Sequence, residues 1–297
     1  MLALLLPAGA RAAGVPCEIG GAQRELGRIR ELSERLSKQN LLYQLRLADQ
    51  SKQDLHDTAA ELDRILELLR NGSATYYVAA PPNAEIRKQI ERVDEAWGPL
   101  RRMALASPYD YLRRAREFMP RQQRYGDPLF IRAFDRMSQA LIEKADRLMA
   151  LYHEECLKTG YELCALSTRY GFATMQTERM TKELVFVYAG LDVGDYSDRL
   201  RKSRDTVDAH HLYVSQLPIV REAMDPSRGN LATLISGLWS SIEEDWGRLR
   251  LEVDLTIAGG AEGISLKRVL KIQTRLVETW ERFGVAMERY VNAKYGG

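Results

Sequence analysis

Residues 27–38 read GRIRELSERLSK and gather Arg28, Arg30, Arg35 and Lys38 on one short amphipathic stretch. A guanidinium presents a planar fork of donors that fits an oxyanion, and a lysine adds a point charge. The stretch therefore offers anion binding. A plainer role is also open. Arg30 and Glu34 stand four apart, as do Glu31 and Arg35, which is the spacing of ion pairs along a helix.

Other chemistry is thin. His153-Glu154-Glu155-Cys156 puts metal-capable side chains together, but no second pair stands at ligand spacing, and zinc needs three or four converging ligands. His210 and His211 are adjacent and should point apart on a helix. Glu243-Glu244-Asp245 reads as a solvated face. The four tryptophans sit at core spacing. No nucleophile elbow, Walker or dinucleotide motif occurs, so neither an enzyme nor a cofactor is expected.

The bulk composition agrees with a soluble globular protein. Of 297 residues, 45% are hydrophobic and 28% charged, with a net charge of +2. Both signs are interspersed, so no broad basic surface for nucleic acid is implied. The start, MLALLLPAGARAAG, resembles the end of a secretory signal peptide, and residues 1–14 are expected to be its remnant. Cys17 follows a poor lipobox. No later run approaches the ~20 apolar residues of a membrane span. Export to the periplasm would permit a disulfide from Cys17 to Cys156 or Cys164. Three free thiols are the alternative. Cys156 and Cys164 read as one helix, about 12 Å apart along its axis, too far to bridge.

Helical periodicity dominates the chain. Residues 23–71 carry apolar positions at helical spacing, with a heptad-like seam at Leu55, Ala59, Leu62, Leu66 and Leu69. Asn71-Gly72 stops this run, and Asn83 caps the next, whose seam is Ile86, Ile90, Val93, Trp97 and Leu100. A short helix is expected at 108–118. Asp127-Pro128 opens a run that continues to about Ala189. Helices at 196–216, 228–256 and 265–293 follow, the last capped by Ser265. Helices of ~50 residues would be roughly 75 Å long. The fold class is therefore all-α, an elongated antiparallel bundle of long helices.

An internal repeat is legible. Gly27–Tyr43 and Gly171–Val187 align at an offset of 144 (171 minus 27), with Glu34-Arg35-Leu36-Ser37-Lys38 on Glu178-Arg179-Met180-Thr181-Lys182. Val93-Asp94-x-x-Trp97 matches Val277-Glu278-x-Trp280, one residue shorter.

These residues resemble the N-terminal sensory domain of type IV pilus methyl-accepting chemotaxis transducers, the PilJ type. That family's first motif is met by Gly27, Arg28, Arg30, Leu32, Ser33, Arg35, Leu36 and Lys38, and its V-E-x-x-W segment by Val93, Asp94 and Trp97. The resemblance implies two PilJ-like repeats, at 22–120 and 127–293, the second with an insertion near 218–258. The first motif is also similar to the P-box of nitrate/nitrite sensor kinases. There the matching arginine, Arg30 here, is implied to hold the anion at a dimer axis. The second copy carries Thr174 at that position and Phe172 where the first has Arg28. A homodimer could supply two copies of Arg30. The resemblance thus implies a sensory module with a small anionic ligand and a membrane receptor or transducer as partner. Expected ligand contacts are Arg30, then Arg28 and Arg35, with Ser33 and Arg179. A structural or protein-interaction component of the cell envelope, without a small ligand, is the alternative.

Overall fold

The computed structural model describes residues 15–48, 52–105, 128–158, 164–191, 193–259 and 263–295. Among them are nine α-helices: α1 (Val15–Leu45), α2 (Lys52–Asn71), α3 (Ala84–Leu105), α4 (Pro128–Lys158), α5 (Cys164–Tyr188), α6 (Val193–Gln216), α7 (Pro218–Ala223), α8 (Asn230–Gly259) and α9 (Leu266–Tyr295). The described residues contain no strand, only a bridge between Ser73 and Val78. The expected helix at 108–118 and the cap at Asp127 lie outside the described residues, as does the proposed leader.

Several helix ends form where the sequence placed them. Asn83 Oδ1 accepts from the Ile86 backbone N–H at 2.9 Å, and Ser265 Oγ from that of Arg268 at 3.4 Å. Gly72 leaves α2 with φ +70°, which a residue lacking Cβ adopts freely. Two expected runs are broken instead. The 23–71 run ends at Leu45, where Arg46 turns to φ 53°. The run from 128 ends at Lys158, and a separate helix begins at Cys164. Apolar periodicity crossed both breaks because turns can keep the phase of a seam. The longest helix is thus 31 residues, about 46 Å rather than 75 Å.

The break also overturns the cysteine geometry. Cys156 and Cys164 do not share a helix, and Cys156 is buried and disulfide-bonded. Three free thiols are therefore excluded.

The helices sort into two four-helix groups. In the first, α1 packs on α2 and α4, and α3 closes the ring against α2 and α4. In the second, α5 packs on α6 and α9, and α8 closes it against α6 and α9. Each group has its own core. Leu26, Ile29, Leu62, Val93, Trp97 and Leu148 belong to the first, and Leu184, Val207, Ile242, Leu276 and Trp280 to the second. The two groups meet along α1 and α5, the most extensive helix contact in the molecule. The expected tryptophan core is observed, since Trp97, Trp239, Trp246 and Trp280 are all buried.

Candidate ligand site

The α1–α5 seam begins at two glycines. A Cβ on Gly171 would lie 2.8 Å from the Gly27 Cα, and one on Gly27 would lie 3.0 Å from the Gly171 Cα. The backbones therefore touch where neither residue has a side chain. Farther along, charges are exchanged between the helices. Arg35 Nε donates to Glu178 Oε1 at 3.0 Å, and Arg179 Nε donates to Glu34 Oε1 at 2.6 Å. Lys38 Nζ lies 2.6 Å from Glu178 Oε2, and Lys182 Nζ lies 2.7 Å from Glu34 Oε2. Gly27 meets Gly171 while Glu34 and Arg35 meet Arg179 and Glu178, so the helices run in the same direction. Every contact has a mate 144 positions on.

Flanking helices complete each half differently. Lys182 donates to Asp135 of α4, which also accepts from Ser37 and Tyr196. Lys38 donates to Gln273 of α9, a neutral amide. Burial pushes the Glu178 carboxyl up, but Lys38 and Arg35 outweigh it and hold it below its ordinary range. Asp135 behaves the same way beside Lys182.

The expected ligand contacts fall into this lattice. Arg30 does not pair with Glu34. Its Nε lies 2.7 Å from Asp146 Oδ1 on α4, and its guanidinium stands 5.8 Å from the Phe172 ring centroid. It is 8% exposed. The α1 face carrying it is covered by α4 and α5 of the same chain, so two copies of Arg30 do not meet across a dimer axis there. Arg35 bridges Glu31 and Glu178, and Arg179 is held by Glu34 and Gln139. Ser33 donates to the Ile29 carbonyl of its own helix, and its own carbonyl accepts from Ser138. Arg28 pairs with Glu61 at 2.5 Å and Glu25 at 3.5 Å. Of the five, Arg28 lines the cavity between α1, α5 and α9, and the other four do not.

That cavity, of about 250 Å³, lies between α1, α5 and α9. Arg24, Glu25, Arg28 and Glu31 come from α1; Tyr170, Gly171 and Thr174 from α5; Glu281, Gly284, Val285 and Glu288 from α9. Tyr170 is 6% exposed, its ring packs edge-on to Phe283, and its hydroxyl has no hydrogen-bond partner among the described residues. Burial raises the Glu31 carboxyl to about 7 against the pull of Arg35, and it raises Glu281 and Glu288 as well.

A family comparison bears on this helix pair. Residues 25–117 match the type IV pili methyl-accepting chemotaxis transducer N-terminal (PilJ) family model. No curated protein and no solved structure matches the chain. The PilJ match takes in α1 from Glu25 onward, α2 and α3, and stops short of α4. The matched family is that of a sensory segment, the N-terminal part of chemotaxis transducers. No helix among the described residues is long and apolar enough to cross a membrane.

The V-D-x-x-W segment of the PilJ match has a structural mate that the sequence reading missed. Trp97 Nε1 donates to Asp63 Oδ1 at 2.7 Å, and Arg101 Nε lies 2.8 Å from Asp63 Oδ2. Trp246 Nε1 donates to Asp208 Oδ1 at 3.0 Å, with Arg250 NH2 at 3.2 Å from Asp208 Oδ2. An ungapped match of VDEAWGPLR (93–101) with IEEDWGRLR (242–250) was the available signal. Two minor expectations also change. Asp245 is buried and bound through both oxygens to Arg275, not solvated. His210 and His211 do not point apart but both contact Trp280, at 6.2 and 5.2 Å between ring centroids. Among the described residues no cluster suited to a metal is present.

Proposed function

We propose that the chain is an exported sensory module of two PilJ-type copies. It takes a small ligand between α1, α5 and α9 and passes the occupied state to a membrane partner. The one-sided cavity carries this reading. Arg30 fills the space beside α1, α4 and α5, whereas Thr174, 144 positions on, leaves the matching space beside α5, α9 and α1 open.

Duplication is supported by the reciprocal α1–α5 contacts and the paired tryptophan–aspartate bonds. The start of α4 at Pro128 and of α9 at Leu266 sets the fourth helices 138 apart (266 minus 128). On this reading the second copy spans α5, α6, α8 and α9, and α8 is its third helix rather than an insertion. Export is supported by the bonded Cys156, because disulfides persist in oxidising compartments. An anion such as nitrate at Arg30 is the weaker form of the proposal. Asp146 already neutralises that guanidinium, and Glu31, Glu178 and Glu34 engage Arg35 and Arg179.

A thermal-shift screen of small metabolites and anions, including nitrate and nitrite, tests the reading. A ligand bound only to the folded state must raise the midpoint. Val285→Trp, at the half-exposed mouth of the cavity, should remove the response while the protein stays folded. A response that survives Val285→Trp but is lost in Arg30→Met would move the site to the anion position. A screen with no response would return the chain to the class of envelope interaction proteins.

A further inference from the structure

The lining of the α1–α5–α9 cavity is unusual in its charge balance. Four carboxylates (Glu25, Glu31, Glu281 and Glu288) face two guanidiniums. Both guanidiniums are already committed. Arg28 reaches Glu61 outside the cavity as well as Glu25, and Arg24 reaches Glu288, Glu25 and the Tyr76 carbonyl. Within the lining, carboxylates outnumber guanidiniums by two; from outside it Arg35 holds Glu31 and Arg64 approaches Glu25, so the surplus lies on α9, where Arg24 reaches Glu288 and no ion pair among the described residues holds Glu281. The Tyr170 hydroxyl adds a buried oxygen with no hydrogen-bond partner among the described residues.

The other half of the molecule shows what such a space accepts. There the occupant is the chain's own Arg30, an aliphatic stem ending in a cation, held by Asp146 and laid against Phe172. At the matching positions the cavity has Thr174 for Arg30 (174 minus 30 is 144) and Gly284 for Asp146 (284 minus 146 is 138). It has lost both the internal cation and its counter-ion. Glu281 and Glu288 flank Gly284 on the same face of α9, three residues before it and four after.

We propose that the cavity binds a small aliphatic amine, best a short α,ω-diamine, as an external replacement for the arginine side chain that the second half lacks. Glu281 and Glu288 stand two turns apart on α9, about 10 Å along its axis. An ammonium group at each end of a four- or five-carbon chain bridges that span with a hydrogen bond to each carboxylate. The Tyr170 hydroxyl accepts from the ammonium near Glu288. The Tyr170 ring, Gly171, Gly284 and Val285 give the methylenes an apolar floor. A net-acidic lining excludes anions from the same space, so the site discriminates by charge.

This class assignment rests on the cavity being the ligand site, and one titration set separates the two. Calorimetry on the full chain would compare 1,4-diaminobutane, 1,5-diaminopentane, the isosteric 1,4-butanediol, and nitrate. Saturable binding is expected for the diamines and none for the diol or nitrate. Glu281→Gln with Glu288→Gln should weaken the diamine at least tenfold. Thr174→Arg places a guanidinium where Arg30 sits in the other half. It should raise the melting midpoint without ligand and abolish the diamine response. Equal binding of diol and diamine, or a diamine response untouched by Thr174→Arg, overturns the amine assignment. Should a non-amine bind and Thr174→Arg block it, the amine class falls and the cavity stands as the ligand site. No binding by any probe, with the wild type also silent in the metabolite screen, overturns both.

Discussion

Removing Glu178 should cost the fold far more than removing Glu34, although the two residues stand at matching positions of the α1–α5 seam. Both are buried, at 1% and 0% exposure, and each holds one arginine and one lysine. The difference lies in what each lysine keeps. In Glu34→Gln, Lys182 retains Asp135 as a carboxylate partner. Arg179 loses its carboxylate too, but its side chain is 24% exposed and keeps Gln139, so water can reach the guanidinium and the loss stays near that of charge-assisted hydrogen bonds, about 1.5–3 kcal/mol. In Glu178→Gln, Lys38 keeps only the neutral Gln273. An orphaned buried charge of this kind costs about 3–5 kcal/mol. Urea unfolding followed by circular dichroism measures both. A pH series gives a second check. Burial already lowers the Lys38 pKa, and losing Glu178 lowers it further. The folded state of Glu178→Gln then binds fewer protons than the unfolded chain up to the ordinary lysine range, so its stability recovers relative to wild type as pH rises toward 10. If Glu34→Gln were the costlier change, or if the Glu178→Gln deficit were flat with pH, the asymmetry argued from Asp135 and Gln273 would be wrong.

Gly171→Ala should destabilise by about 1–3 kcal/mol despite the helix preference for alanine, because its Cβ meets backbone and α1 must shift; a neutral or stabilising result in chemical denaturation contradicts the close approach. Asp146→Asn should cost more than Arg30→Met, since the first strands a buried guanidinium while the second frees a half-exposed carboxylate; paired urea curves give the order. Cys156→Ser, or reduction of the wild type, should lower stability by about 2–5 kcal/mol, and a midpoint unchanged by reductant would argue that the bond contributes nothing. Burial holds His210 at about 4 and His211 at about 3. The unfolded chain therefore binds more protons from about pH 6.5 downward, and stability should fall as pH drops through that window. Replacing His210 and His211 together with phenylalanine should flatten that fall in a pH series of urea midpoints, and an unchanged acid limb would refute the assignment.

Much of the architecture was legible because helical propensity, seams and caps are local. Asn83 and Ser265 announce their helices by chemistry that acts within three residues. The offset of 144 was legible too, since identity along one helix needs no knowledge of what faces it. The site was not. Periodicity says which face of α1 is buried but not against what, so Arg30 had Glu34 as its only nameable partner. Its actual partner, Asp146, lies 116 residues away. The cavity was invisible for a related reason. It is made by two small residues, Thr174 and Gly284, on different helices, and a missing side chain leaves no signal until its neighbours are known. Trp246 was missed as the counterpart of Trp97 because Trp280 lay close to the expected spacing and drew the alignment to itself.

The same-direction pairing of α1 with α5 also fixes how the molecule counts. Two chains that meet through equivalent helices offer two equivalent sites, and their occupancy depends on how much of the protein is assembled. Here both helices belong to one chain, and the cavity lies on the Thr174 side while Arg30 fills the other. Binding should therefore saturate at one molecule per chain, follow a simple hyperbola, and keep the same midpoint on dilution.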